Sequence, residues 1–105
     1  MQMMAASRVV VTDEELIVSL VNGRTLSVPL AWYPRLLHGT VAEQQNVHLL
    51  GNGYAMEWPD LDEHIGLEGL LAGRHSGESA ASLQRWLASR SGGGTGTQGL
   101  PRAGQ

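Results

Sequence analysis

Apolar and polar residues alternate on both sides of Asn22 and Gly23, and this pattern predicts two β-strands joined by a hairpin. A two-residue loop would set apolar side chains against polar ones across the pair. A three-residue loop instead pairs Val18 with Leu26 and brings the apolar side chains of both strands to one face. Because a slip of one residue would turn this apolar set toward solvent, we expect the three-residue loop, with Gly23 as its left-handed bulge residue.

The same kind of pattern predicts a second hairpin around Asn52 and Gly53, and a β-branched strand over residues 8–12. In this second hairpin a two-residue turn is favoured, because it pairs Leu49 with Met56 on one face. We therefore expect a small antiparallel sheet built from the two hairpins and the N-terminal strand.

Helix signals follow the strands. Pro34 suits the first turn of a short helix, and Gly39 would end it. Thr40 and Glu43 match a capping box, which predicts the start of a second short helix. The helical segments that we expect are residues 34–37, 40–46, 67–73 and 79–89. These elements predict an α+β fold in which the sheet packs with short helices and a C-terminal helix.

The length of 105 residues fits a single domain. A stretch rich in glycine follows the last helical segment, and such composition is typical of flexible linkers. The expected divisions are a flexible N-terminus at 1–7, the α+β core domain at 8–73, a linker and C-terminal helix at 74–90, and a disordered Gly-rich tail at 91–105.

Composition narrows the function classes. The chain has no cysteine, which excludes a disulfide framework, a thiolate zinc site and a cysteine nucleophile. It shows no signal-peptide pattern and no apolar run near the roughly 20 residues that span a bilayer, so we expect a soluble, cytoplasmic protein without a membrane partner. It also lacks a Gly-x-Ser-x-Gly elbow, a phosphate loop and any lysine, and we expect neither enzymatic activity nor a cofactor.

The distribution of charge points to a protein partner more than to nucleic acid. Seven arginines stand against ten acidic residues, and the arginines are scattered instead of forming a basic face for phosphates. Nucleic-acid binding by the chain itself is therefore disfavoured. Five acids fall in a segment that contains no arginine: Glu57, Asp60, Asp62, Glu63 and Glu68. This segment is either a solvated surface or a contact for a basic partner.

Histidines raise the alternative of a metal site. Residues 60–64 contain the densest group of potential ligands, but they lack the spacing of a metalloprotease helix or of a calcium loop. A solvated acidic loop is favoured there over a metal centre. His48, expected opposite Glu57, is most simply an exposed cross-strand pair. His75 lies in the predicted linker, where we expect it to be exposed to solvent.

Trp32, Tyr33 and Arg35 surround Pro34 at a predicted helix start, and neighbouring residues there cannot all face inward. Tryptophan, tyrosine and arginine are enriched at the energetic centres of protein interfaces. The same aromatic residues would also supply much of the buried area of so small a domain. Both interpretations, interface and core, remain open from the sequence.

Several segments carry a family resemblance: residues 22–24 (Asn-Gly-Arg), 27–36 (Ser-Val-Pro-Leu-Ala-Trp-Tyr-Pro-Arg-Leu), 53–54, 58–63 and 67–71. Together they resemble a small bacterial family, numbered 2442 among the domains of unknown function, over roughly residues 9–73. The resemblance implies a short α+β domain with an antiparallel sheet. It also implies a link to predicted toxin–antitoxin pairs, or to an appended helix-turn-helix domain, in some members. It supplies no catalytic residues.

The leading hypothesis is a non-enzymatic protein-interaction or regulatory module, antitoxin-like, that binds a small, basic bacterial protein. The residues expected at this interface are Trp32, Tyr33, Arg35, Glu57, Asp60, Asp62 and Glu63. The alternative is a small-ligand or metal-binding domain that uses His48, Glu57 and residues 60–64. Nucleic-acid binding ranks below both, and the oligomeric state stays open.

Overall fold

The structure of the protein is a computed structural model that describes residues 4–91. Its first sheet contains the antiparallel strands β1 (Ala6–Val11), β2 (Glu15–Leu20) and β3 (Thr25–Pro29), in that order. Val18 lies opposite Leu26, so the predicted register of the first hairpin is confirmed. Gly23 is the last residue of the three-residue loop and has a φ of +91°, a conformation that glycine adopts without steric cost.

The second sheet contains the antiparallel strands β4 (His48–Leu50), β5 (Ala55–Trp58) and β6 (Glu63–Gly66), again in chain order. Leu49 lies opposite Met56, which confirms the predicted register of the second hairpin. The six strands thus form two three-stranded sheets, where the sequence suggested one small sheet. The α+β class is confirmed, because several short helices and a C-terminal helix accompany the sheets.

The connection between β4 and β5 differs from the predicted two-residue turn. Residues 51–54 form a four-residue loop, closed by the Leu50 carbonyl oxygen, which accepts the amides of Gly53 at 2.9 Å and Tyr54 at 3.0 Å. Three successive residues of this loop have positive φ, ending with +101° at Gly53. The wider loop lets the Gly53 carbonyl accept the Ala6 amide at 2.8 Å, a contact between the two sheets that no local pattern encodes.

Strand β6 is the element that the sequence pattern missed. The prediction of a solvated loop over residues 60–64 is wrong, since Pro59–Leu61 form a 3-10 turn and the last two of the five lie on β6. In this strand His64 lies opposite Glu57 of β5. Four residues that end in glycine carry too short an alternation to predict a strand. Pairing with β5 decides the conformation instead.

The helices follow the predicted positions closely. Their bounds are α1 Pro34–Leu37, α2 Val41–Gln45, α3 Leu67–Leu71 and α4 Ala80–Ser91. The predicted capping box is confirmed, because Thr40 Oγ1 accepts the Glu43 amide at 3.1 Å and the Glu43 carboxylate accepts the Thr40 amide at 2.9 Å. Gly73 follows the C-cap of α3 and has a φ of +81°, and the Arg74 amide donates to the Gly69 carbonyl at 3.0 Å. This arrangement is a Schellman motif.

The hydrophobic core is shared by both sheets and by the short helices. Trp58 is its largest fully buried side chain, and the indole Nε1–H donates to the Gln44 carbonyl at 2.9 Å. Gly39 allows the chain after α1 to pack closely, because a Cβ there would lie 2.8 Å from the Leu61 side chain. The other buried members of the core are Ala6, Leu16, Val18, Leu20, Val28, Leu30, Tyr33, Leu36, Met56, Leu61, Ile65, Leu67 and Leu70.

The expected segment boundaries shift at both ends of the core. β1 begins at Ala6, and both Ala5 and Ala6 are buried, so residues 6 and 7 belong to the sheet and not to a flexible N-terminus. Between α3 and α4 the chain is irregular but attached to the core, since the Ser76 amide donates to the Trp32 carbonyl at 3.0 Å. The first residue of the predicted disordered tail, Ser91, is the last residue of α4, and residues 92–105 lie outside the described residues.

Replacing Gly53 with alanine should destabilise the protein by more than about 3 kcal/mol. A Cβ at Gly53 would overlap the backbone carbonyl oxygen and amide nitrogen of Ala6, and the positive φ adds strain. Gly23→Ala is the matched control, because Gly23 also has a positive φ but a Cβ there meets nothing within 4 Å. We expect the control to lose only about 1 kcal/mol. Urea unfolding measures both values, and equal losses would contradict the prediction.

Candidate functional site

Arg35 of α1 is the centre of an ion-pair network inside the molecule. Its Nε and Nη2 atoms donate to the two carboxylate oxygens of Glu78, each at 2.7 Å. Its Nη1 donates to the Asp62 carbonyl at 3.2 Å and to the Asp62 carboxylate at 3.3 Å. The Glu78 side chain is only 7% exposed. Arg35 therefore uses its donor groups within the fold, and the guanidinium is not presented to a partner as the interface hypothesis expected.

Trp86 of α4 lies between the two arginines that hold this helix to the rest of the chain. The guanidinium carbon of Arg35 is 5.2 Å from the Trp86 ring centroid, and that of Arg90 is 4.6 Å away. Arg90 Nη2 also pairs with the Glu43 carboxylate at 2.6 Å. Because Trp86 packs against the core as well, α4 is part of the folded body.

The two aromatic residues of the predicted interface are used internally. Tyr33 is 5% exposed, and its hydroxyl donates to the Arg74 carbonyl at 2.8 Å, which makes it a core residue. Trp32 is partly buried and stacks on the His75 ring, with centroids 3.9 Å apart and planes 20° apart. His75 is exposed, as expected, but it also covers an aromatic face. Together these contacts bind the segment after α3 to the start of α1.

The acids of the predicted interface divide into two groups. Asp60 and Asp62 are exposed, the former accepting a bond from the Asn46 amide group at 3.0 Å. Glu57 is half-buried in the middle strand of the second sheet. Glu63 is also half-buried and lies opposite Trp58 at the start of β6. The structure thus brings Arg35, Asp62 and Glu63 together, and it places Glu57 and Asp60 elsewhere on the sheet and turn.

The metal alternative finds no geometric support in the part of the chain that the structure describes. His48 and His64 lie opposite Glu57 from its two sides, in neighbouring strands. Even so, no group of three or more histidine, cysteine or acidic side chains among residues 4–91 is arranged to hold a metal ion.

A cavity of about 220 Å³ lies between β6, α3 and the segment that follows α3. Its polar wall contains Tyr33, Glu63, Arg74, His75 and Ser76. Sequence reasoning missed this pocket because it did not predict β6 and placed the segment after α3 in an exposed linker, although every lining residue except Tyr33 lies within positions 63–77. The one local signal is the set of glycines around α3, three of which line the cavity: Gly66, Gly69 and Gly77.

Burial and charge move two neighbouring carboxyl groups in opposite directions. Burial raises the pKa of Glu63; the nearby charges of Glu78 and Asp62 add to this, and the His64 amide and Arg35 oppose it. Hydrogen bonds from Arg35 lower the pKa of Glu78. Burial and the charge of Glu63 also raise the pKa of Tyr33. The pocket therefore holds a carboxyl group that is short of positive partners.

Two three-stranded antiparallel sheets on one core, with a polar pocket beside β6, define a small α+β protein. Residues 6–76 match the model of the family described as "Protein of unknown function (DUF2442)", and the chain belongs to this family. No curated protein matches the chain. Among residues 4–91, no helix is both long enough and apolar enough to cross a membrane.

Two solved structures share the fold. The crystal structure of a protein of unknown function from Rhodospirillum rubrum superposes with a TM-score of 0.62 at 27% identity, covering 78% of this chain and 99% of that one. The solution NMR structure of an uncharacterised protein from Chromobacterium violaceum gives a TM-score of 0.59 at 22% identity, covering 82% of this chain and 75% of that one. These neighbours are bacterial.

Glu78→Gln should destabilise the protein by about 2 kcal/mol near neutral pH, because it leaves the Arg35 guanidinium without its buried counter-charge. Glu68→Gln, at an exposed position of α3, is the control and should change stability by less than about 0.5 kcal/mol. The lowered pKa of Glu78 means that its contribution is present above the ordinary glutamate pKa and is lost as pH falls through the folded-state pKa. Urea unfolding from neutral to acidic pH should show a larger loss of stability in the wild type than in Glu78→Gln, in which Glu43, whose pKa is also lowered, still contributes a loss.

Glu63→Gln should stabilise the protein at pH 7. The pKa of Glu63 is raised, so its carboxylate opposes folding, and this unfavourable effect develops as pH rises through the folded-state pKa. Glutamine keeps the shape of the side chain and removes the charge that faces Glu78 and Asp62. Thermal unfolding between pH 4 and pH 8 should show the variant and the wild type converging at the acidic end. A variant that is less stable than the wild type at pH 7 would contradict the prediction.

Proposed function

We propose that the protein is a non-enzymatic interaction module that binds a small, basic bacterial protein in a regulatory, antitoxin-like role. The observation that supports this proposal is the balance of paired and unpaired charge. The described residues contain all ten acids of the chain and six of its seven arginines. Of these arginines, only Arg35 and Arg90 form ion pairs, and they do so with Glu78, Asp62 and Glu43.

Seven acids are left without an ion pair among the described residues. They are Asp13, Glu14, Glu15, Glu57, Asp60, Glu63 and Glu68. Four of the seven belong to the segment between positions 57 and 68, which contains no arginine. Such an excess of carboxylates attracts a basic partner over distances of about a Debye length, roughly 8–10 Å, and speeds the formation of the complex.

The internal use of the aromatic residues changes the proposed contact surface. Tyr33 is in the core and Arg35 is in the ion-pair network, so neither side chain is placed to meet a partner. The exposed acids Asp60 and Glu68, together with the half-buried Glu57, remain available. We therefore propose recognition through these carboxylates, with occlusion of the partner's basic surface as the regulatory mechanism.

The test is co-expression with the product of the adjacent gene, followed by calorimetric titration of the purified partners at low and high salt. We expect a complex at micromolar concentration or below, weakened by salt. The triple variant Glu57→Gln, Asp60→Asn, Glu68→Gln should weaken binding about tenfold at low salt.

The matched control removes the same number of charges from the turn between β1 and β2. Asp13→Asn, Glu14→Gln and Glu15→Gln alter exposed side chains outside the proposed surface and should change affinity less than about twofold. Absence of a complex at micromolar concentration would overturn the proposal. Equal weakening by the two triple variants would overturn the proposed contact surface.

A further inference from the structure

The pocket beside β6 exposes the free edge of a strand. Tyr54 directly precedes β5, and Leu67 directly follows β6. The Leu67 amide donates to the Tyr54 carbonyl at 2.8 Å, so these two residues form a hydrogen-bonded pair in line with the ladder of the two strands. In an antiparallel ladder, hydrogen-bonded pairs alternate with pairs that are not hydrogen-bonded. The backbone groups of Ile65 and Glu63 therefore bond to β5, and those of His64 point away from β5. His64 also lines the cavity, and it is part of the edge that faces the pocket.

Three residues of this wall, Tyr33, Glu63 and His64, carry hydrogen-bond acceptors. The Glu63 carboxylate lines the pocket and takes the His64 amide as a hydrogen-bond donor. Outside the strand ladder, no hydrogen bond among residues 4–91 reaches the His64 carbonyl. The Tyr33 hydroxyl already donates its hydrogen bond to the Arg74 carbonyl, so its oxygen can only accept another bond. A ligand that offers several N–H donors fits this arrangement.

The local charge favours a cation in the same place. Asp62, Glu63 and Glu78 lie near a single guanidinium, that of Arg35, which donates hydrogen bonds to Glu78 and Asp62. Three carboxylates beside one arginine leave a local excess of negative charge at Glu63. Arg74 also lines the cavity and opposes a cation there, but it is exposed and its guanidinium lies over Gly69 of α3.

We propose that this pocket binds one guanidinium group, with Glu63 as the carboxylate that receives it and the His64 carbonyl as a second acceptor. A guanidinium is flat and offers donors in a fork that matches a carboxylate, whereas an ammonium acts as a point charge. The cavity of about 220 Å³ has the volume of about seven water molecules, at roughly 30 Å³ each, which suits a guanidinium and part of its alkyl stem.

The guanidinium can belong to a free small molecule or to an arginine side chain of a protein. Two probes distinguish these sources: agmatine, a free alkylguanidine, and the blocked peptide acetyl-Gly-Arg-Gly-amide. Putrescine, which carries ammonium groups, is the comparison for ligand chemistry. Each is titrated into the isolated full chain and followed by the amide resonances of residues 63–66 and 74–77 in heteronuclear NMR spectra.

We expect agmatine to shift these resonances in a saturable way in the millimolar range, and putrescine to bind at least about fivefold more weakly. Glu63→Gln should abolish the response while its spectrum stays that of a folded protein. Arg74→Ala should tighten binding about twofold by removing a like charge. The control Glu14→Gln changes an exposed carboxylate in the turn between β1 and β2 that does not line the cavity, and it should bind like the wild type.

Saturation by agmatine alone supports the pocket with a free small molecule as its ligand. An equal response to the peptide supports the same pocket with an arginine side chain as its ligand. No saturable shift with either probe, an unchanged response in Glu63→Gln, or equal binding of putrescine would overturn the proposal. Because the probes are small cations, failure here leaves the proposed protein partner untested, and loss of that partner leaves this inference standing.

Discussion

The backbone contact between Ala6 and Gly53 is the constraint on which the arrangement of the two sheets depends. The Ala6 amide donates to the Gly53 carbonyl, and the two chains come so close that no Cβ fits at Gly53. The Val21 amide donates to the carbonyl of Ala5, the residue before Ala6, and this bond holds the same segment against the first hairpin. The start of β1 therefore touches both hairpins. This allows Val18 and Trp58, from different sheets, to share one core.

The ion pairs of Arg35 and Arg90 have a complementary role at the other end of the chain. Trp86 of α4 lies under both guanidinium groups. Glu78, which comes just before α4, forms an ion pair with Arg35. A short amphipathic helix gains little stability by itself in water. Its attachment therefore rests on these charged contacts and on the apolar packing of Trp86. Before α4, the segment that follows α3 lines one wall of the pocket and is held by its contacts with Trp32 and Tyr33.

Glu63 and Glu78 show how one neighbourhood can give two carboxyl groups opposite properties. Glu78 receives two hydrogen bonds from Arg35 and another from Ser82, which favour its charged form. Glu63 receives only the backbone amide of the residue that follows it, and burial outweighs this donor. The carboxylate near α4, that of Glu78, is thus fully paired, whereas the carboxylate at the pocket, that of Glu63, lacks a comparable positive partner. The guanidinium proposal builds on this imbalance, whereas the acidic-surface proposal uses the carboxylates of Glu57, Asp60 and Glu68.

The sequence by itself determined the features that depend on neighbours a few positions away. Register in the hairpins, the capping box at Thr40 and the end of α3 at Gly73 follow from side-chain parity and glycine conformations, which are local. Tertiary structure alone decided the strand β6, the wide loop at Gly53, and the partners of Arg35, one of which lies 43 positions away. Those features depend on which distant groups meet, and burial then decides whether Tyr33 serves the core or a surface.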